Sequence, residues 1–418
     1  MQKREVLYVN RTVLHSDLNN FYASVELLFH PELKGKPVAV AGDAEARHGI
    51  VLAKNYEAKA RGVQTAEPLW QAKNKCPEIV FVAPHYELYE KYSRWAREIY
   101  YEYTDMIEPF GLDECWLDVT GSLSIFGDGK FIADSIRRKM KKELGLTVSV
   151  GVSFNKVFAK LGSDMKKPDA TTVIEPHDFR EKIWGLPASD MLFVGTKTYN
   201  KLKRFGILTI GDLARTDPKL LECLFGKNGR RLYDYANGRD QSPVAISGET
   251  PPPKSIGNST TPPRDLVDDN DIDIILYQLC ESVSARMRRE GVVCKTVQLH
   301  VRYSDLHTLE RQTKLDYPNR TAKTLYEAAR YLMKKHRLLG EPIRSLGVRA
   351  SDLEWNFAEQ LSFLPDVMDI QRAEVIENTV DRLREKYGSP ALRRGIMLTD
   401  TLLGGNRISD VVSLVDGG

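Results

Sequence analysis

The chain has few cysteines and none in a useful arrangement. Its five (Cys76, Cys115, Cys223, Cys280 and Cys294) are odd in number, scattered and free of C-x-x-C spacing. That excludes a disulfide framework and a zinc ribbon, and points to a reducing compartment. Long apolar runs are missing too. The opening MQKREVLYVNRTVLHSDLNN has only short apolar stretches broken by Asn and Arg, so it is not a signal peptide, and no later segment approaches a membrane span. A cytoplasmic protein is expected. A strong charge of either sign is also absent: 60 Lys and Arg against 57 Asp and Glu give +3, too little to name a partner. Internal repeats are lacking, and the one compositionally biased stretch is ISGETPPPKSIGNSTTPPRDL.

What is present describes a globular protein of several domains. With 418 residues, 42% of them hydrophobic and 28% charged, the chain exceeds one ordinary core and predicts roughly three or four domains. The first part alternates strand-like and helix-like runs. RTVLHSDL, KPVAVAG, IVLAK, LDECWLDVTG and LTVSVGVSF read as strands. NFYASVELLFHPEL, YELYEKYSRWAREIYYEYTDMIE and FIADSIRRKMKKELG read as helices. This is a mixed α/β pattern, which places functional groups at strand ends and in the turns that follow. From about Glu181 to Arg239 strands stop and short helices alternate with Gly and Pro. Within this part, Thr196–Arg231 carries nine Lys and Arg against three acidic residues, a candidate phosphate-binding surface. Pro251–Pro253 favours an extended tether. Beyond it come a helix around Ile272–Arg289, the strand VCKTVQLHVRYSD, a helix around Arg320–Lys335, the strand IRSLGVRASDL, and a tail with the helix AEVIENTVDRLREKYG.

The chemistry concentrates in LDECWLD. In a strand, adjacent side chains point to opposite faces, so Asp113 and Glu114 cannot both escape the apolar surroundings of Leu112, Trp116, Leu117 and Val119. A buried carboxylate needs a partner, either a cationic side chain or a metal ion. A second acidic strand end, Asp17 in HSDLNN, lies 96 residues earlier. A lone Asp before a helix is commonly an N-cap. Three carboxylates meeting at one place require divalent cations, the arrangement used for two-metal phosphoryl transfer. Basic candidates for a triphosphate are Lys59 and Arg61 beside Tyr56, and Lys166 and Lys167 before Pro168. In TVQLHVRY, Val297, Leu299, Val301 and Tyr303 share one face, and Thr296, Gln298, His300 and Arg302 the other.

Taken together and in order, HSDLNNFYASVE, KGKPVAV, AKNYEAKARGV, LDECWLDVTGS, VGVSFNKVFAKLGSDMKKPD and KSIGNSTT resemble the Y-family translesion DNA polymerases, the bacterial polymerase IV and V branch (ImpB/MucB/SamB) in particular. The resemblance runs from about residue 10 to about residue 353. It implies an α/β multidomain, right-hand polymerase. The palm would be 1–20 and 85–175, the fingers 21–84, the helical thumb 176–242 and a tether 243–254. A DNA-binding little finger would follow at 255–353, then a C-terminal tail at 354–418.

It further implies that Asp17, Asp113 and Glu114, with the carbonyl of Leu18, hold two Mg²⁺, for which Mn²⁺ can substitute. Tyr22 would be the steric gate against ribonucleotides, with Phe21 beside it. Tyr56, Lys59 and Lys167 would contact the triphosphate. Lys197, Lys201, Arg302 and Arg349 would contact primer–template DNA. Gln360, Leu361, Phe363 and Leu364 resemble the peptide that docks on the sliding clamp, and the protein would act as a monomer. The sequence departs from the family at Lys59 (commonly Arg), Gly111 (commonly Ser), Trp116 (commonly Tyr) and VGTKT (commonly Gly-x-Gly). On this reading the metal site prevails over a salt-bridged strand end. No acidic cluster remains for a proofreading exonuclease, so low fidelity is the expectation. A silent DNA- and clamp-binding scaffold would not need the three carboxylates. A nucleotidyl cyclase would not need the thumb, tether and second DNA-facing domain.

Overall fold

The computed structural model describes residues 11–43, 49–248, 252–338, 340–355 and 365–405. They form two compact units, one comprising residues up to 42 and 50–250, the other 251–418 together with 43–49. No helix among the described residues is long and apolar enough to cross a membrane.

The first unit contains β1 (Val13–Leu18), β2 (Val38–Ala41), β3 (Val51–Lys54), β4 (Val80–Val82), β5 (Ile107–Phe110), β6 (Glu114–Asp118), β7 (Val148–Ser153) and β8 (Thr171–Ile174). A five-stranded sheet runs β5-β6-β1-β7-β8, and a small sheet runs β3-β2-β4. Strand β1 is central, antiparallel to both β6 and β7, and buried along its length. On one face, Leu14, Leu18, Val148, Val150 and Val152 pack with residues of the helices Tyr86–Tyr101 and Gly129–Glu143. The helix Lys156–Met165 crosses β7 so closely that a Cβ on Gly151 would stand 1.9 Å from the Ala159 carbonyl. Only glycine permits that approach, and it brings the helix's lysines over the end of β1. The predicted long helix through Glu108 is shorter: it ends at Tyr101, and Ile107–Phe110 form edge strand β5 instead. Pro109 lies in that strand, a position that an edge tolerates because one side of its backbone needs no partner. Between Phe179 and Ala236 there are only helices, packed around Phe158, Leu202, Ile210, Leu213 and Leu232.

The second unit is a four-stranded antiparallel sheet, β11 (Thr308–Asn319), β10 (Val292–Tyr303), β12 (Ile343–Trp355) and β9 (Ser255–Thr260) in that order. Val297, Leu299, Val301 and Tyr303 are buried with residues of the helices Asp269–Arg289 and Ala322–His336, as the alternation predicts. Gln298 and Arg349 pair across the opposite face, and Arg302 is exposed further along the same face, opposite Ser345. Thr296 is buried, bonded to the Asp352 carboxylate. The tail helix Pro365–Tyr387 folds onto this unit. Glu377 and Asp381 pair with Arg288, Glu374 with Arg320, and Arg384 and Arg394 with Glu281. Leu403 reaches the core. The clamp-peptide residues Gln360, Leu361, Phe363 and Leu364 lie outside the described residues.

Candidate active site

Backbone pairing brings the two acidic segments together. Asp17 is the register partner of Glu114 across β1 and β6, and the Leu18 amide donates to the Asp113 carbonyl at 2.9 Å. Two carboxylates from strand ends 97 residues apart in sequence, and a third in the adjoining turn, thus share one edge of the sheet. Asp17 is 7% exposed.

Their partners are lysines from the helix Lys156–Met165 and the turn after it. Lys167 Nζ lies 2.7 Å from Asp17 Oδ2 and 2.8 Å from Asp164 Oδ1. Lys160 Nζ lies 2.7 Å from Glu114 Oε2 and 3.8 Å from Asp17 Oδ2. His15, fully buried, places Nε2 3.1 Å from the same Glu114 oxygen. Neither contact to that oxygen is aligned as a hydrogen bond; Lys160 acts as a charge contact, whereas burial lowers the pKa of His15 and disfavours its charged form. The other His15 nitrogen, Nδ1, is 2.8 Å from Ser163 Oγ, whose own proton goes to the Lys160 carbonyl. Nδ1 is therefore the donor to Ser163.

The electrostatics are uneven. Burial, reinforced by the charges of Asp17 and Glu114, pushes the Asp113 carboxyl up to about 6. Burial also raises Asp17, more than Lys167 lowers it. Burial acts on Glu114 in the same sense, but His15 and Lys160 together outweigh it and hold that carboxyl down at about 2. Asp113 has no ion-pair partner among the described residues. A buried carboxylate with its acidity weakened by like charges is short of a cation.

The fit to a metal can be judged from this. Among the described residues no three acidic, His or Cys side chains converge as a ligand set, because Asp17 and Glu114 are drawn onto lysines. The donors are all hard oxygens, however, and Asp113, without an ion-pair partner among the described residues, calls for positive charge. Lysine ammonium is a compact charge on a flexible stem, so its pairing can be exchanged. The residues fit a hard divalent cation.

Beside the carboxylates lies an aromatic floor. Tyr22 stacks on Tyr89 (centroids 4.2 Å apart, planes 9° apart), and Phe21 is buried next to it. Tyr89 donates to buried Glu26, whose carboxylate also meets His85 Nδ1 at 3.0 Å. Burial raises the Tyr22 hydroxyl to about 12, so it stays protonated. Tyr56 opens the short helix Tyr56–Ala60, capped by Asn55, with Lys59 Nζ 5.7 Å from its ring. Burial raises the Tyr56 hydroxyl, and it feels the charges of Lys167 and Asp17.

Elsewhere the expected contacts divide. Gly195 of VGTKT is the N-cap of the helix Thr196–Lys203. Lys197 is exposed, whereas Lys201 donates to the Leu224 carbonyl. His15, Lys160, Asp164 and Tyr89 were not singled out from the sequence. The last three had a signal: Lys160 and Asp164 are four residues apart on one helix, three before Lys167, and Tyr89 falls in the aromatic-rich helix.

Comparison with known proteins identifies the family. The impB/mucB/samB family profile matches residues 16–164, and the profile of that family's C-terminal domain matches residues 253–363. The chain is 52% identical to a DNA polymerase IV of Acetivibrio thermocellus, over 96% of this chain and 100% of the relative. It is 39% identical to DNA polymerase IV 1 of Halalkalibacterium halodurans, over 92% of this chain and 93% of that one. Among solved structures, a Y-family DNA polymerase chimera superposes with a TM-score of 0.72 at 24% identity, covering 82% of this chain and 100% of that one. At that identity the likeness concerns the fold.

Proposed function

The chain belongs to the impB/mucB/samB family, and on that premise we propose that it is a DNA-directed DNA polymerase that extends primers across damaged template by metal-dependent nucleotidyl transfer. The observation that carries this is the pairing of Asp17 with Glu114 across β1 and β6, with Asp113 at the adjoining turn and lysines supplying the countercharge.

In this reading Asp17, Asp113, Glu114 and the Leu18 carbonyl hold two Mg²⁺. Bound there, the ions would lower the pKa of the primer 3′-hydroxyl and offset the charge of the triphosphate. Everything else is the work of side chains. Lys167 exchanges its contact with Asp17 for a phosphate oxygen, which frees that carboxylate. Tyr56 and Lys59 meet the triphosphate from the side of the small sheet. Lys59 offers a single point charge where a guanidinium would bind bidentately. Tyr22, held flat on Tyr89, lies under the sugar, where a 2′-hydroxyl meets the ring. Lys197, Lys201, Arg302 and Arg349 bind template and primer backbone, the sequence-independent part of recognition. Lys201 first gives up the Leu224 carbonyl. Low fidelity is expected, since no separate acidic cluster that could serve a second, hydrolytic centre is found among the described residues. Gln360, Leu361, Phe363 and Leu364 dock the polymerase on a sliding clamp.

The test is primer extension with Mg²⁺ on undamaged and abasic templates, comparing wild type with Asp17→Ala. Wild type extends both, and the variant loses at least about a thousandfold in rate while still binding DNA. Synthesis by Asp17→Ala at the wild-type rate removes that residue from the site. In the same assay Tyr22→Ala incorporates ribonucleotides about a hundredfold more readily relative to deoxyribonucleotides; unchanged exclusion places the gate elsewhere. Replacing Gln360 and Leu361 with Ala abolishes clamp binding, and retained affinity refutes the docking assignment.

A further inference from the structure

Lys167 sits in the turn between the helix Lys156–Met165 and β8, and the far side of that turn is gripped by a residue outside the site. Asp169 has a left-handed backbone (φ 51°), unusual for a non-glycine residue. Its amide donates to Asn19 Oδ1 at 2.9 Å, and Asn19, 2% exposed, is tied in turn to Ser149 Oγ on β7 at 3.0 Å. From the helix Gly129–Glu143, Arg137 closes on the same residue. Its Nε and Nη2 donate to Asp169 Oδ1 at 3.1 and 2.9 Å, and Nη2 also meets the Asp169 carbonyl. Nη1 reaches Thr171 Oγ1 at 3.3 Å and Asp134 Oδ1 at 3.1 Å, while Lys141 adds a contact to Asp169 Oδ2 at 3.3 Å. One planar guanidinium thus fixes both the carboxylate and the carbonyl of a residue two positions from Lys167.

We propose that Arg137 is a positioning residue for the incoming nucleotide: by clamping Asp169 it sets where the Lys167 ammonium stands, and so how tightly the triphosphate is held. This rests on the assignment of Lys167 to the triphosphate. Lys167 has a flexible stem, and only the turn's backbone fixes the point from which that stem starts. A shift of about 1 Å there is enough to cost one to two orders of magnitude in a contact that must be preorganised. Arg137 itself faces away from the carboxylates, so its loss acts on nucleotide binding and spares turnover at saturation.

The experiment uses the full chain on a dideoxy-terminated primer–template and measures equilibrium binding of the next correct dNTP, with steady-state KM and kcat on an extendable primer alongside. The proteins compared are wild type, Arg137→Ala, Arg137→Lys, Lys167→Ala and the Arg137→Ala/Lys167→Ala double variant. Lys130→Ala, on the same helix and paired to Asp134, serves as the surface control. Arg137→Ala raises Kd and KM about tenfold with kcat within about threefold, Arg137→Lys lies between it and wild type, and the double variant matches Lys167→Ala. Wild-type Kd for Arg137→Ala, or multiplying effects in the double variant, overturns the proposal. An unchanged Kd for Lys167→Ala overturns instead the assignment of Lys167 on which it rests. If Arg137→Ala does not fold, Asp169→Asn weakens the carboxylate half of the grip alone. It gives a smaller rise in Kd, and a wild-type value there also overturns the proposal.

Discussion

The candidate active site and the second unit treat their carboxylates in opposite ways. In the second unit they meet arginines. Asp271 takes both Nη atoms of Arg264 at 2.6 Å, and Glu377 and Asp381 share Arg288, whose side chain is 7% exposed. The hydrogen bonds from Arg264 hold the Asp271 carboxyl below its ordinary value. In the candidate active site Asp17 and Glu114 meet lysines and Asp113 meets no cation among the described residues, and burial leaves Asp17 and Asp113 above their ordinary values. A forked guanidinium makes a lasting bond, whereas an ammonium on a flexible stem makes an exchangeable one. The contrast separates charges that hold a fold together from charges kept available for a ligand.

Breaking the permanent kind has the larger effect on stability. Arg288→Ala strands Glu377 and Asp381 beside the helix Asp269–Arg289 and costs the second unit about 3 kcal/mol. Calorimetry of the full chain should show this unit melting earlier, with single-nucleotide incorporation on bound DNA little changed. A melting profile like that of wild type contradicts a structural role for the pair.

The available kind has the opposite sign. Because the Asp113 carboxyl is raised from 3.8 to about 6, its ionised form is disfavoured in the folded protein. That penalty is fully present above about pH 6, fades as pH falls towards 3.8 and is gone below it. Asp113→Asn should therefore stabilise the metal-free first unit by roughly 2 kcal/mol at pH 8 and by almost nothing near pH 4. In the second unit the lowered Asp271 gives stability above pH 3.8 that is lost on further acidification. Urea unfolding of the two proteins at both pH values decides it. A variant less stable than wild type at pH 8 reverses the sign and removes the contrast.

Much of this was legible in the sequence. The alternation in TVQLHVRY gave the buried face of β10, and LDECWLD raised the question that the pairing of Asp17 with Glu114 answers. Strand β11 was not legible, since Leu309 and Leu315 are the apolar residues of this edge strand that pack against the core, and LERQTKLDY carries little period-two contrast. Strand β5 was hidden by the helical aromatics before it. The roles of Lys160, His15 and Arg137 depend on the close crossing at Gly151 and on the Asp169 turn, contacts between segments that no local pattern encodes. The tail helix was readable as a helix, but its docking depends on arginines more than 50 residues away.

The central claim is that Asp17, Asp113 and Glu114 form a cation site held open by lysines. It is met most directly by titrating Mg²⁺ calorimetrically into the complex of protein, dideoxy-terminated primer–template and dNTP, for wild type and Asp113→Ala. Wild type should take up metal, and the variant should lose most of that uptake while DNA stays bound. Equal metal uptake by the two proteins would contradict the account.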